Sequence, residues 1–149
     1  MISIIGTVAS QKKLTVFNYP ISISRVPAEL VGRRLRCSGY LRYDRNKGAY
    51  FQVCQWEDTE ETDSNFVTVE GTIITILPPK VKRGQERACL ILERNGKECT
   101  RVLVTLVSSH IQAVDFNNLS LDQYVRLSGY INYHRRGLHV LFARKEGNP

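Results

Sequence analysis

Two eleven-residue stretches repeat the same order of cationic, small and aromatic side chains. Arg34 to Asp44 reads RLRCSGYLRYD, and Tyr124 to His134 reads YVRLSGYINYH. Because successive side chains of a β-strand point to opposite faces, the Arg, the Ser and the Tyr after the Gly share one face. Guanidinium groups neutralise phosphates, and aromatic rings stack on unpaired bases. Such a face can bind a single nucleic-acid strand.

The same residue types also occur on the ordinary solvent face of an antiparallel sheet, where tyrosine has a high strand propensity. Either stretch alone can therefore be no more than a solvated strand, and its repetition in both halves favours a binding role. The alternate side chains are predicted to face a core. They are Leu35, Cys37, Gly39, Leu41 and Tyr43 in the first stretch, and Val125, Leu127, Gly129, Ile131 and Tyr133 in the second.

Each stretch continues into a basic turn and a second aromatic-containing strand, so each is predicted to form a β-hairpin. Two such hairpins indicate an internal duplication. The predicted nucleic-acid-binding residues come from these hairpins and from a basic loop at 80–84. The cationic candidates are Arg34, Arg36, Arg42, Arg45, Lys47, Lys82, Arg83, Arg126, His134, Arg135 and Arg136. The aromatic candidates are Tyr40, Trp56 and Tyr130.

The charge of the chain agrees with an anionic ligand. There are 21 Lys and Arg residues against 14 Asp and Glu residues, for a net charge of +7, which favours polyanions such as nucleic acid. The surplus is uneven, since residues 126–145 contain five basic residues and no acidic one.

Motifs for catalysis and metal binding are missing from the sequence. There is no glycine-rich phosphate loop, no H-E-x-x-H and no G-x-S-x-G. The four cysteines have no C-x-x-C spacing and are predicted to be reduced thiols. We therefore expect a non-enzymatic protein without catalytic residues, metal or cofactor.

No apolar run approaches the ~20 residues that a membrane helix needs. Met1 leads directly into a strand-like segment rather than a charged leader with an apolar region. We expect a cytoplasmic protein that does not bind membranes.

The second half of the chain predicts five strands, with a helix between the third and the fourth. The first three strands are Phe66 to Leu77, Arg87 to Arg94 and Thr100 to Val107, and Pro78-Pro79 is predicted to end the first of them. Ser108-Ser109 can cap a helix of about three turns. This all-β order with one small helix is that of an OB fold, a five-stranded Greek-key barrel.

The first half has similar ends and a shorter middle. Strands are predicted at 2–9, 12–17 and 21–26, with a turn at Asn18-Tyr19-Pro20 and a short connection at 27–30. We predict a reduced OB-like half at 1–57, an acidic linker at 58–65 and an OB-fold domain at 66–146, a tandem arrangement in the chain as a whole. Whether the first half forms its own barrel or completes the second stays open.

The segment between the halves, EDTEETDSN at 57–65, contains five acidic residues and no basic one. Its composition is typical of a solvated linker. A second interpretation is an internal ligand that lies across a basic face and competes with nucleic acid. Both interpretations stay open.

The second half resembles the bacterial single-stranded-DNA-binding protein family and its primosomal PriB-type relative. The resemblance covers residues 66–146, with a weaker echo in 1–57, and is carried by the opening VEGTI, by TRVLVTLV and by the closing YVRLSGYINYHRRGLHVLFARK. It implies an OB fold that binds single-stranded DNA through stacked aromatics and cations. By position it implicates Arg126, Tyr130, Tyr133 and Arg135, with Arg36, Tyr40 and Arg42 in the other half.

We therefore expect a protein that binds single-stranded nucleic acid, DNA or RNA, in DNA replication, recombination or repair. Its partners could include replication or primosome proteins, and a homodimer stays open. The alternative is an OB-fold interaction subunit of a replication or RNA-processing assembly.

Overall fold

The computed structural model describes residues 1–44, 48–94, 100–134 and 137–145, and it describes side chains at 1–42, 49–94 and 101–131. The chain divides into two compact units. The first contains Met1–Val67 and Ile131–Leu138, and the second contains Thr68–Tyr130 and His139–Pro149.

The first five strands form a sheet of their own. They are β1 (Ile2–Ser10), β2 (Lys13–Val16), β3 (Tyr19–Ser22), β4 (Arg34–Asp44) and β5 (Gly48–Asp58), with a 3-10 turn at Ala28–Leu30. Their order is β3-β2-β1-β4-β5. The sheet curls so that Ile23 forms a parallel bridge with Phe51, and the Ser24 amide donates to the Phe51 carbonyl at 2.9 Å. The predicted short connection at 27–30 is confirmed as this single turn.

The last five strands form a closed barrel. They are β6 (Phe66–Lys82), β7 (Gln85–Arg94), β8 (Thr100–Val107), β9 (Tyr124–His134) and β10 (Gly137–Lys145), with the helix α1 (Ser109–Ala113) and a 3-10 turn at Phe116–Asn118. The order around the barrel is β10-β8-β7-β6-β9, and β10 runs parallel to β8. If β1 to β5 are matched with β6 to β10 in chain order, every pair of neighbouring strands in the sheet corresponds to a pair of neighbouring strands in the barrel. The predicted all-β OB architecture is confirmed.

The core forms because apolar side chains occupy alternate strand positions. In the first unit the fully buried side chains include Ile4, Leu14, Ile21, Leu35 and Phe51. In the second they include Ile73, Leu90, Leu92, Leu106 and Leu127. The other side of these strands is left for polar and aromatic residues.

The prolines at 78 and 79 do not end the strand that contains them, so this prediction is wrong. β6 continues to Lys82, and its register with β7 shifts between Leu77 and Lys80. Proline donates no hydrogen bond and is tolerated in a strand at such an irregularity. In the predicted basic loop at 80–84, residues 80–82 therefore belong to β6, and only Arg83 and Gly84 form a turn.

The predicted three-turn helix is also wrong in its length. α1 ends at Ala113, and Asp115 adopts a left-handed backbone with φ of 56°. Ser108 makes no side-chain capping bond. Ile111, Val114 and Leu119 are nevertheless buried, since the 3-10 turn continues the chain over the core.

The turn between β2 and β3 begins one residue earlier than the predicted turn at Asn18-Tyr19-Pro20. β2 ends at Val16, and Phe17 and Asn18 have φ of 49° and 67°. Pro20 then lies in β3, at the edge of the sheet, where proline is acceptable. The basic turns of the two repeated hairpins, at 45–47 and 135–136, lie outside the described residues.

Gly39 of the repeated Ser-Gly-Tyr permits the close approach of β4 and β5. A Cβ atom there would lie 1.8 Å from the Gln52 carbonyl oxygen, a backbone atom that cannot rotate away. We expect Gly39→Ala to lower the free energy of unfolding in urea by about 3 kcal/mol.

Gly32→Ala is the matched control, because nothing lies within 4 Å of its added Cβ and only its φ of 90° is unfavourable. That substitution should cost about 1 kcal/mol. An equal or smaller loss at Gly39 would contradict the close approach.

Candidate nucleic-acid interface

The outward face of β4 has the predicted alternation. Leu35, Cys37, Gly39 and Leu41 are buried, whereas the side chains between them are partly exposed. Those partly exposed residues are Arg34, Arg36, Ser38, Tyr40 and Arg42. The structure therefore brings four of the predicted site residues of the first unit onto one face.

One end of this face combines aromatic and cationic groups. Tyr40 lies opposite Gln52 and Arg42 opposite Tyr50 on β5, and directly opposite residues share a face. Arg42 donates to the Gln52 side-chain carbonyl oxygen, which holds the guanidinium beside the rings. We call Tyr40, Arg42 and Tyr50 the tyrosine patch.

At the other end of β4 the arginines hold carboxylates of the same unit. Arg34 contacts Asp63 at 2.8 Å, and Arg36 contacts Glu57 at 2.8 Å as well as Glu61. Hydrogen bonds, first to Glu61 and then to Glu57, raise the pKa of Arg36. These two predicted phosphate ligands are therefore occupied in this structure.

Trp56 lies on the other face. Its partner across the strands is Cys37, whereas the neighbouring pair is Arg36 and Glu57. Since Cys37 points into the core, Trp56 lies on the core side of the sheet, where it is 44% exposed. The structure does not place Trp56 with Arg36 and Tyr40 on the same face.

The second unit has its own face on β9. Tyr124, Arg126 and Tyr130 are exposed, whereas Val125 and Leu127 are buried. Residues two apart along a strand are ~7 Å apart, so the arginine lies between the two rings. This arrangement agrees with the predicted alternation.

Ser128 is the exception on this face, because it is fully buried. Its hydroxyl forms a 2.7 Å hydrogen bond with the hydroxyl of Thr68 on β6. The serine of the repeat therefore joins two strands of the barrel and is not available to a ligand.

Tyr124 has a defined position on the face although it is absent from the predicted site residues. Partial burial, followed by a hydrogen bond with Glu70, raises its pKa. Glu70 also lies 3.7 Å from Arg94. Strand alternation alone marked Tyr124 as outward, and that signal could have identified it.

Among the described residues, Arg126 has no side-chain hydrogen bond or ion pair.

Lys82 and Arg83 lie at the tip of the β6–β7 hairpin. Lys82 pairs with Gln85, and Arg83 and Gly84 have φ of 54° and 74°, as a two-residue primed turn requires. Lys80 lies opposite Arg87 on the same hairpin. Several cations are thus collected on one arm of the second unit.

Other predicted residues lie outside what the structure describes. These are Arg45, Lys47, Arg135 and Arg136, and for His134 only the backbone is described, at the end of β9. The side chains of Tyr43 and Tyr133 are outside it as well.

Two exposed aromatic residues were not predicted as site residues. Phe17 and Tyr19 lie at the tip of the β2–β3 hairpin and are 51% and 57% exposed. The Phe17 amide donates to the Asp63 carboxylate at 2.8 Å. The predicted turn at Asn18-Tyr19-Pro20 begins one residue after the observed one, so Phe17 is not predicted at its tip.

Nothing in the described part of the chain forms a cluster of three or more His, Cys, Asp or Glu residues suited to a metal ion. The helices found there are too short to cross a membrane. Cys37, Cys54 and Cys89 are free thiols. The described chemistry is that of cations, aromatic rings and hydrogen-bonding groups on two sheet faces.

Two solved structures that share this fold are single-stranded DNA binding proteins. A deletion mutant of the protein from Thermus aquaticus matches with a TM-score of 0.74 and 14% identity, over 99% of this chain and 93% of that chain. The wild-type protein from the same organism matches with a TM-score of 0.65 and 13% identity, again over 99% of this chain and 93% of that chain. The N-terminal domain of PriB from Thermoanaerobacter tencongensis covers 57% of this chain and 97% of its own, with a TM-score of 0.46 and 22% identity.

No protein-family model and no curated protein matches the chain. At identities this low, the structural likeness shows the fold alone. The chain has the OB-type fold found in bacterial single-stranded DNA binding proteins.

The assignment of faces on β4 and β5 can be tested with two cysteines. Burial raises the pKa of the Cys37 thiol to about 11, so its thiolate is scarce until the pH approaches that value. Cys54 is exposed, next to a shift in register between Ser38 and Gly39. At pH 8 we expect a thiol reagent to modify Cys54 rapidly and Cys37 only after unfolding, as measured by peptide mass spectrometry.

The Cys54→Ser variant provides the matched control, since the residual reaction at Cys37 should stay slow at pH 8 and rise in urea. Fast modification of Cys37 in the folded protein would mean that the two faces are assigned the wrong way round.

Proposed function

We propose that this protein is a non-enzymatic binder of single-stranded DNA that acts in replication, recombination or repair. The observation that carries the proposal is the exposed Tyr124, Arg126 and Tyr130 face on β9 of an OB barrel. OB folds of this kind bind nucleic acid on a sheet face and through the adjoining loops.

The β9 face can supply both interactions that a single strand needs. Tyr124 and Tyr130 are ~20 Å apart along an extended strand, with Arg126 between them. Stacking of a base on an aromatic ring contributes ~1–3 kcal/mol, and Arg126 can take a phosphate because its guanidinium forms no hydrogen bond or ion pair with the described groups. Duplex DNA hides its base faces, so this surface should prefer single strands.

The hairpin arm of the second unit extends the cationic surface. Lys82 and Arg83 are exposed at its tip, where long flexible side chains can follow a phosphate backbone. In the first unit, the tyrosine patch is a second face of similar composition. We propose that it also binds nucleic acid, and RNA would fit both faces equally well.

The alternative role, an interaction subunit of a replication or RNA-processing assembly, is favoured by one observation. Val81, at the same arm, is 76% exposed, and Leu77 is also exposed. Apolar side chains in such positions are typical of contacts with another protein. Replication or primosome proteins, or a second copy of this chain, are candidate partners.

Two substitutions on β9 test the main proposal. We expect Arg126→Ala to weaken binding of labelled oligo-dT and to lower the slope of log affinity against log salt by about 0.7, the value for one phosphate on a single strand. Tyr130→Leu should weaken binding about tenfold through lost stacking, whereas Tyr130→Phe should bind like the wild type.

Arg25→Ala is the matched control for charge, because Arg25 is exposed in the loop after β3 and belongs to neither the β4 face nor the β9 face. It should leave both affinity and salt slope unchanged. Equal effects of Arg25→Ala and Arg126→Ala, or equal affinities of the Tyr130→Leu and Tyr130→Phe proteins, would contradict binding on the β9 face.

A further inference from the structure

Residues Glu57–Asp63, here called the acidic strap, hold five carboxylates within seven residues. The strap belongs to the first unit together with the β4 face. It begins in the last residues of β5 and leads towards β6. Its position relative to the β4 arginines determines whether those arginines can bind a ligand.

The strap crosses the outward face of the sheet. At its start, the Thr59 amide donates to the Arg34 carbonyl of β4 at 3.3 Å. Just after its end, Ser64 exchanges two backbone hydrogen bonds with Ile5 of β1, at 2.9 and 3.1 Å. The chain therefore passes from β5 over β4 to β1, across the strands.

Burial on this face agrees with such a path. Ile5 lies directly opposite Arg36, so its side chain is on the outward face, yet only 7% of it is exposed. Ser3, two positions earlier on the same side of β1, is exposed. An apolar residue on the ligand side of the sheet is thus covered where the strap arrives.

Four strap carboxylates match three arginines. Asp58 pairs with Arg33, Asp63 with Arg34, and Arg36 binds both Glu57 and Glu61. Guanidinium groups bind carboxylate and phosphate with the same forked geometry. The strap therefore fills positions on β4 that phosphates of a bound strand would take.

These ion pairs can be exchanged. Their side chains are mostly a third or more exposed to water, and exposed pairs are weak because water and salt compete for both partners. A polyanion that offers several phosphates in a row can replace several carboxylates at once, whereas an isolated anion replaces one.

We propose that the acidic strap is an internal competitor of nucleic acid, which covers Arg34 and Arg36 until a single strand displaces it. This inference rests on the proposed function of the β4 face. Displacement also frees the tip of the β2–β3 hairpin from Asp63, which accepts hydrogen bonds from both Arg34 and the Phe17 amide. The exposed Phe17 and Tyr19 then become free to move towards the ligand.

A pair of double variants with equal charge tests the proposal. Glu57→Gln with Glu61→Gln removes both carboxylates that hold Arg36 and leaves Asp63 in place to preserve the fold. Glu29→Gln with Asp115→Asn changes the net charge by the same amount at exposed residues outside the strap that form no ion pair in the described structure. Thermal unfolding followed by circular dichroism checks that both are folded.

We expect the Glu57/Glu61 variant to bind labelled oligo-dT about threefold to tenfold more tightly than the Glu29/Asp115 variant, and with a steeper salt slope. Equal affinity of the two variants would overturn the strap as a competitor. If the wild type binds in that case, the proposed function stands without it. If no protein binds, both are overturned.

Hydrogen exchange of the wild-type protein gives a second test that needs no substitution. The amides of Thr59 and Ser64 hold the strap to β4 and β1. Their exchange should become faster when oligo-dT saturates the protein, because the strap leaves the sheet. Unchanged or slower exchange at both amides would show that the strap stays in place and would overturn the proposal.

Discussion

The pairing of β4 with its neighbours decides what the first unit can offer to a ligand. Arg36, opposite Glu57 and Ile5, faces outward because its neighbours in the strand, Leu35 and Cys37, are in the core. The register shift after Ser38 lets Tyr40 and Arg42 stay on the outward face with Tyr50. A slip of one residue would exchange the cationic face for the apolar one, so the register determines both the core and the surface.

Charge divides this surface into occupied and available parts. Five of the 14 acidic residues lie within residues 57–63, and four of them pair with the arginines at 33, 34 and 36. The net charge of +7 therefore says little about the β4 face, where local charge is nearly balanced. On β9, Arg126 faces solvent without such a partner among the described residues, and that face carries the proposed function.

Strand alternation made much of this predictable. The outward positions of Arg36, Tyr40, Arg126 and Tyr130 follow from a period of two, and the OB fold follows from five strands with a helix between the third and the fourth. The side of Trp56 does not, because it depends on a register shift that no residue type marks. Pro78-Pro79 predicts the end of a strand, because the shift in register that allows two prolines inside β6 cannot be seen in the sequence. The sequence left open whether the strap is a solvated linker or lies across a basic face, since composition alone cannot distinguish a solvated segment from a bound one.

The most direct test of the central claim is the anisotropy of a labelled oligo-dT titrated with the wild-type protein over a range of salt concentrations, with duplex DNA and RNA as competitors. We expect tight binding, weak competition by duplex, and a linear fall of log affinity with log salt of about 0.7 per phosphate contacted. Equal competition by duplex, or an affinity insensitive to salt, would show that the Arg and Tyr faces do not bind unpaired strands and would make them surfaces for a protein partner.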